Sequence, residues 1–270
     1  MSECLAVHRG EGYRVLTLDR PDKLNALSPD LLEALRREQD DLSRDLECAV
    51  VVLRGAGRAF CCGADLKYVK SIRGDRAAVA DFLATLHDVI TGFEKLPQVV
   101  VGVVHGMVLA GGLELMMGCD IILAAATCRL GDQHAHFGLV PGGGGTQRLP
   151  RLIGSLKAKE LILTGRQVQA DEAAAMGLVT RAVPDESLDG EVNALVELLM
   201  KNSATAAAVS KRLVNVGREL PLGGALALEL EAAKHHFESA DFAIGLDAFE
   251  RRETPSFPRR RDRVARDPQS

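Results

Sequence analysis

Two short segments of small residues could do chemistry with the backbone alone. Cys62-Gly63-Ala64-Asp65 and Leu109-Ala110-Gly111-Gly112-Leu113-Glu114 each follow an apolar run that suits a buried strand. Glycine lets a ligand approach the main chain closely, and an N–H at the start of a helix carries partial positive charge. Two such N–H groups converging on one oxygen would form an oxyanion hole, where each donor is worth roughly 2.7–4 kcal/mol of transition-state stabilisation. Tight strand-to-helix packing explains the same glycines, and on residue type alone it is the favoured reading. The four consecutive glycines at 142–145 are followed by Thr146-Gln147-Arg148 and not by Lys-Ser/Thr, which argues against a nucleotide-phosphate loop. Gly55-Ala56-Gly57 fails the dinucleotide fingerprint because Phe60 stands where the third glycine is needed. His134 and His136 would share one side of an extended segment, but spacing supplies no third metal ligand.

The elements that must position these loops alternate strand, glycine-containing loop and helix. Residues 13–18 suit a strand, and Ser28-Pro29-Asp30 opens an amphipathic helix with Ser at the N-cap and Leu31, Leu32 and Leu35 on its buried face. Strands are expected over 49–53, 98–104 and 121–125, a glycine-interrupted turn over 106–112 and a helical start over 113–117. This is an α/β rhythm. After Pro184 the strand signal disappears, and 187–201, 204–218, 225–239 and 242–253 read as helices rich in Ala and Leu. No fixed-period repeat is present.

At 270 residues the chain is long enough for a substantial core and too large to be a disulfide-stapled scaffold. The six cysteines form no C-x-x-C pair and sit mostly in apolar segments, as reduced thiols do; neither a disulfide nor a zinc site is expected. No apolar run approaches the roughly 18 residues of a membrane span. The acidic start, Met1-Ser2-Glu3-Cys4, shows no leader, and a cytoplasmic address without membrane association is expected. A net charge of −4 with two Tyr and no Trp offers little to nucleic acid. The tail from Arg251 to Ser270 is the exception, with seven arginines against three acids, and a solvated end is its simplest reading.

Five segments in order resemble the enoyl-CoA hydratase/isomerase (crotonase) family. They are Arg20-Pro21-Asp22-Lys23-Leu24-Asn25-Ala26-Leu27, Ala59-Phe60-Cys61-Cys62-Gly63-Ala64-Asp65-Leu66, Ala110-Gly111-Gly112-Leu113-Glu114-Leu115, Cys119-Asp120-Ile121-Ile122 and Pro141-Gly142-Gly143-Gly144-Gly145-Thr146-Gln147-Arg148-Leu149. Similarity continues through Thr164-Gly165 and 173–179 to Phe249-Glu250-Arg251-Arg252-Glu253-Thr254-Pro255-Ser256-Phe257, nearly the whole chain. The resemblance implies an α/β spiral of ββα units over 1–195, holding the CoA and catalytic site. A C-terminal helical oligomerisation region with the basic tail would span 196–270 and form a homotrimer or a dimer of trimers. It also implies that the Ala64 and Gly111 amides hold a thioester oxygen, and that Lys23, Leu24, Ala26, Asp65, Leu66 and Gly112 lie along an acyl-CoA. Pro258 falls where a CoA-binding Lys is common in the family, so Arg259 is the expected substitute. Coenzyme A would be part of the substrate, with no separate cofactor and no metal.

Family hydratases use two glutamates about twenty residues apart. The first is Glu114; the second position falls on His134, within Asp132-Gln133-His134-Ala135-His136. In one account the imidazole replaces the carboxylate as the group that anchors water or delivers a proton to C2, which its reference pKa near 6.5 permits. In the other His134 only lines the pocket, and Glu114 works alone or with Asp132 or ordered water. His136 takes the role if the loop is shifted by two residues, and Asp120 is expected to be a structural acid. The expected activity is reversible addition of water to a 2-enoyl-CoA. A thioester hydrolase, decarboxylase, isomerase or lyase on the same scaffold, a CoA-thioester binder without turnover, and a purely structural trimer are the alternatives.

Overall fold

The computed structural model describes residues 4–258. The chain begins with β1 (Leu5–Arg9) and β2 (Tyr13–Leu18), an antiparallel pair, followed by α1 (Pro29–Arg44). Ser28 caps α1 by accepting the Leu31 N–H at 3.3 Å, Pro29 fixes its first turn, and its Leu31, Leu32 and Leu35 face is buried. Next come β3 (Val50–Gly55), α2 (Leu66–Ile72), α3 (Arg76–Lys95), β4 (Val99–Val104), β5 (Met107–Leu109), α4 (Gly111–Met116), β6 (Ile121–Ala125) and β7 (Arg129–Gly131). The chain continues through α5 (Gly145–Ile153), α6 (Ser155–Thr164), β8 (Val168–Gln169), α7 (Ala170–Met176) and β9 (Arg181–Val183). Four helices close it, α8 (Leu188–Lys201), α9 (Ala204–Gly217), α10 (Leu222–Phe237) and α11 (Ala240–Arg251).

The large sheet runs β1-β2-β3-β4-β6-β9, parallel from β2 onward. Its central strands β3 and β4 are buried along almost their whole length, which explains why 49–53 and 98–104 read as unbroken apolar runs and not as alternating ones. A small sheet, β5-β7-β8, lies beside it, and two isolated bridges, Leu27↔Ala64 and Cys61↔Val108, extend its ladder back through earlier turns of the chain. Successive turns thus add one strand to the large sheet and one short piece to the small one, the expected spiral. The segment 106–112, expected as a turn, contains β5: three residues are too few to show a strand period. The strand-free stretch after Pro184 is observed among the described residues, since β9 ends at Val183. Among the described residues no helix is long and apolar enough to cross a membrane.

Asp120 is indeed structural. Its Oδ2 accepts the Val100 N–H at 2.7 Å and pairs with Lys211 Nζ at 2.7 Å, while Lys211 also donates to the Phe93 and Gln98 carbonyls, tying α9 to the core. At the other end of the spiral, buried Asn25 staples the 20–27 loop to the 56–59 loop. It accepts the Arg20 N–H at 2.9 Å and donates to the Ala56 and Ala59 carbonyls at 2.9 and 2.8 Å, from a left-handed backbone (φ 54°) that Asn tolerates better than most residues. Replacing Asn25 by Ala strands these buried groups and should lower the unfolding free energy by about 2–3 kcal/mol. Urea titration checks this, and an unchanged midpoint would show the staple to be dispensable.

Candidate active site

The two small-residue loops meet backbone to backbone. A Cβ added to Gly63 would lie 3.0 Å from Ala110 Cβ and 3.2 Å from the Gly111 nitrogen; one added to Gly111 would lie 3.4 Å from the Ala64 nitrogen. The bridge beside Ala64 uses the Leu27 and Asp65 N–H groups, donating to Gly63 O and Leu27 O, and not that of Ala64. Gly111 is the first residue of α4, where an N–H has no acceptor within the helix. Both amides are therefore available at one place. Ala110 reaches that geometry with φ 50° and ψ −120°, held by its N–H bond to Gly131 O at 2.9 Å. A non-glycine residue there is strained, and strain of this kind is kept where the surroundings over-determine it. Gly112 has a packing reason as well, since a Cβ on it would lie 2.1 Å from the Cys61 carbonyl oxygen.

Glu114 lies in the same short helix, one turn on, and is buried to 1% exposure. Its Oε1 accepts the Gly143 N–H at 2.8 Å and the Gly145 N–H at 2.7 Å, the latter from the first residue of α5. Among the described residues Oε2 has no hydrogen-bond partner. Burial holds the carboxyl above the usual range, opposed by the Gly145 amide, the His134 charge and the Gly143 amide, with Asp132 adding to the rise. A carboxyl raised in this way holds its proton more readily than an exposed glutamate does, which suits a proton acceptor.

His134 opens the 3-10 turn His134–Phe137, so the extended segment expected for the two histidines is not what forms. Its Nδ1 pairs with Asp132 Oδ1 at 2.9 Å, and its own N–H bonds the same oxygen at 3.3 Å. Asp132 is fully buried. Burial alone would lower the His134 pKa, but the Asp132 hydrogen bond and charge, aided by Glu114, outweigh it and the value is raised. With Nδ1 facing a carboxylate, Nε2 is the nitrogen left for chemistry. His136 turns instead to the Thr164 carbonyl, 3.0 Å from Nε2.

The residues expected along CoA differ in exposure and in their partners. Lys23 is exposed at the end of a 3-10 turn, Leu24 (φ 50°) and Ala26 follow on the bent 20–27 loop, and Leu66 is exposed at the start of α2. Asp65 has structural partners: it caps α2 through the Lys67 and Tyr68 N–H groups and pairs with Arg20 at 2.9 Å. Its pKa is lowered; burial works against that, and the Arg20 hydrogen bond leads the groups that outweigh it. Arg259 lies outside the described residues. Sequence reasoning missed the part played by Gly143 and Gly145. Their only signal was a glycine run before a helix with no phosphate-loop lysine.

Comparison with known proteins identifies the family. The family model described as enoyl-CoA hydratase/isomerase matches residues 8–260, and the chain belongs to that family. A probable enoyl-CoA hydratase of Mycobacterium bovis is 36% identical over 261 residues, covering 96% of this chain and 99% of that protein. A short-chain-enoyl-CoA hydratase of Clostridium acetobutylicum is 35% identical over 248 residues, 91% of this chain and 94% of that one. The crystal structure of an enoyl-CoA hydratase from Bacillus anthracis superposes with a TM-score of 0.90 at 34% identity, covering 94% of this chain and 98% of that one, so the fold is the crotonase fold. Replacing Asp132 by Asn removes the charge that raises His134 and leaves the burial that lowers it. The imidazole should then titrate at lower pH in an NMR titration, and an unmoved His134 pKa would rule out Asp132 as the cause.

Proposed function

We propose that the protein is an enoyl-CoA hydratase that adds water reversibly across the 2,3 double bond of an enoyl-CoA thioester. One observation carries this: buried Glu114, with one carboxylate oxygen held by two amides and the other unshared, stands one turn beyond the Ala64/Gly111 amide pair. Glu114 Oε2 takes a proton from water as the water oxygen attacks C3. The C2–C3 π electrons move toward the thioester, and the Ala64 and Gly111 N–H groups stabilise the resulting enolate oxygen. His134, held by Asp132, gives a proton to C2 as the enolate collapses to the 3-hydroxyacyl thioester. Proton transfer from Glu114 to His134 resets the pair, whose charges already act on each other. In this reading the 23–26 loop, Asp65, Leu66 and Gly112 border the CoA. The exposed Phe137, Leu139 and Val140, between His134 and the glycine run, favour an apolar acyl group. Coenzyme A enters as part of the substrate.

The exposed Leu222, Leu226 and Leu230, spaced four residues apart along α10, support self-association as a trimer or a dimer of trimers. In deuterated water the protein should convert crotonyl-CoA to a product heavier by one D₂O, detected by mass spectrometry. Glu114→Gln should slow this by about 10²–10⁴-fold, and His134→Ala should slow it and alter its pH profile. A wild-type rate in Glu114→Gln would sink the mechanism.

A further inference from the structure

The loop that holds Glu114 is itself held from behind. Arg148, in the first turn of α5, donates from one terminal nitrogen to the Gly143 carbonyl at 3.0 Å. Its Nε and other terminal nitrogen grip both carboxylate oxygens of Glu94 on α3, at 2.7 and 3.0 Å, and that terminal nitrogen also reaches Thr91 Oγ1 at 3.0 Å. A two-point Arg–carboxylate fork is among the stronger and more directional contacts available to a side chain. The restraint is therefore continuous: α3 fixes the guanidinium, the guanidinium fixes the Gly143 carbonyl, and the Gly143 and Gly145 amides fix Glu114 Oε1. The loop cannot hold itself, because glycines lose the most conformational freedom on ordering. Nor can it carry side chains: a Cβ on Gly143 would lie 2.8 Å from Glu114 Oε2, and one on Gly144 would lie 2.0 Å from the Arg148 guanidinium.

We propose that Arg148 is a positioning residue for the hydration, acting through the Gly143–Gly145 amides to set the place and basicity of the Glu114 carboxylate. This rests on the reading of Glu114 as the base. Arg148 lines a cavity of about 590 Å³ together with His87, Thr91, Glu94, Asn215 and the edge of α5, and neither Ala64 nor Gly111 borders that cavity. That cavity gives a small guanidinium ion a route to the Arg148 position.

The titratable and charged groups around Glu114 are His134 and Asp132 from the segment after β7, with Arg148 and Glu94 beyond the glycine loop and His87 against Gly144. When Arg148 is removed the loop loosens and the two amides no longer bear on Oε1. The carboxylate then loses the donors that favour its charged form, and its proton leaves at higher pH. A base must be deprotonated to work, so the acid limb of the kcat profile should move to higher pH.

The test compares Arg148→Lys and Arg148→Ala with wild type on crotonyl-CoA. Lysine keeps a charge but not the fork. Both variants should lose about 10²-fold in kcat, as misplacement of a catalytic group by about 1 Å does, with KM little changed. The acid limb should rise, and added methylguanidinium, unlike methylammonium, should restore rate in Arg148→Ala. If Arg148→Ala does not fold, Arg148→Lys carries the test through its kcat, KM and pH profile. An unmoved acid limb in a folded variant, or a loss confined to KM, overturns the proposal, as does failure of methylguanidinium to restore a folded Arg148→Ala. Glu114→Gln measured alongside keeps the two readings apart. A dead Glu114→Gln with an unmoved Arg148→Lys limb overturns the positioning role alone, whereas an active Glu114→Gln overturns the assignment of the base.

Discussion

Burying the carboxylate of Glu114 is the constraint around which the site is arranged. Taking an ionised carboxylate out of water costs several kcal/mol, and charged hydrogen bonds return about 1.5–3 kcal/mol each. The Gly143 and Gly145 amides supply two such bonds to a single oxygen, and Glu114 still titrates above its usual range because they offset its burial only in part. That shortfall is useful, since a fully satisfied carboxylate would be a poor proton acceptor. It also dictates local sequence, because only residues without a Cβ let the main chain come this close. Within the run of four glycines, Gly143 and Gly145 are thus shaped by an anion belonging to the protein itself, while Gly142 and Gly144 are limited by Leu83 and Arg148.

The meeting of the Ala64 and Gly111 amides depends on a second constraint, the register between turns of the spiral. The bridges Leu27↔Ala64 and Cys61↔Val108 place 61–64 between the 20–27 loop and β5, so the start of α4 arrives beside Ala64. The Ala110 backbone bends sharply between β5 and α4 and gives the helix its direction. On the neighbouring turn, β7 runs straight into Asp132 and His134, bringing the imidazole to the same end of the small sheet as α4. One stacked ladder therefore delivers the two amides, Glu114 and the Asp132–His134 pair from segments up to seventy positions apart in the chain.

The pairing of His134 with Asp132 sets this site apart from one built on two glutamates. A carboxylate accepts hydrogen bonds through either oxygen, whereas an imidazole must have one nitrogen committed before the other can serve. Asp132 is buried, two residues away and bonded to both Nδ1 and the His134 backbone, which makes that commitment locally. Burial of His134 works against its charge, and it is the acid beside it that keeps the imidazolium accessible.

Much of this protein could be read directly from its residues. Long apolar runs at 49–53 and 98–104, the Ser28-Pro29 helix start and the Ala- and Leu-rich stretches after Pro184 identified an α/β core followed by helices. These are local signals, written in periodicity and capping chemistry. The two small-residue loops and Glu114 were legible too, because glycine spacing and the ordered family segments mark them. Tertiary structure decided the rest. Three-residue β5 has no period to detect, and the different surroundings of His134 and His136 come from a 3-10 turn that sends one ring to Asp132 and the other to Thr164 O. The grip of Arg148 on Glu94 joins α3 to α5 across residues 54 positions apart in sequence, so no local pattern could show it. Periodicity and caps act over a few residues, whereas what a buried carboxylate or a bare amide can do is set by atoms that only the fold brings near.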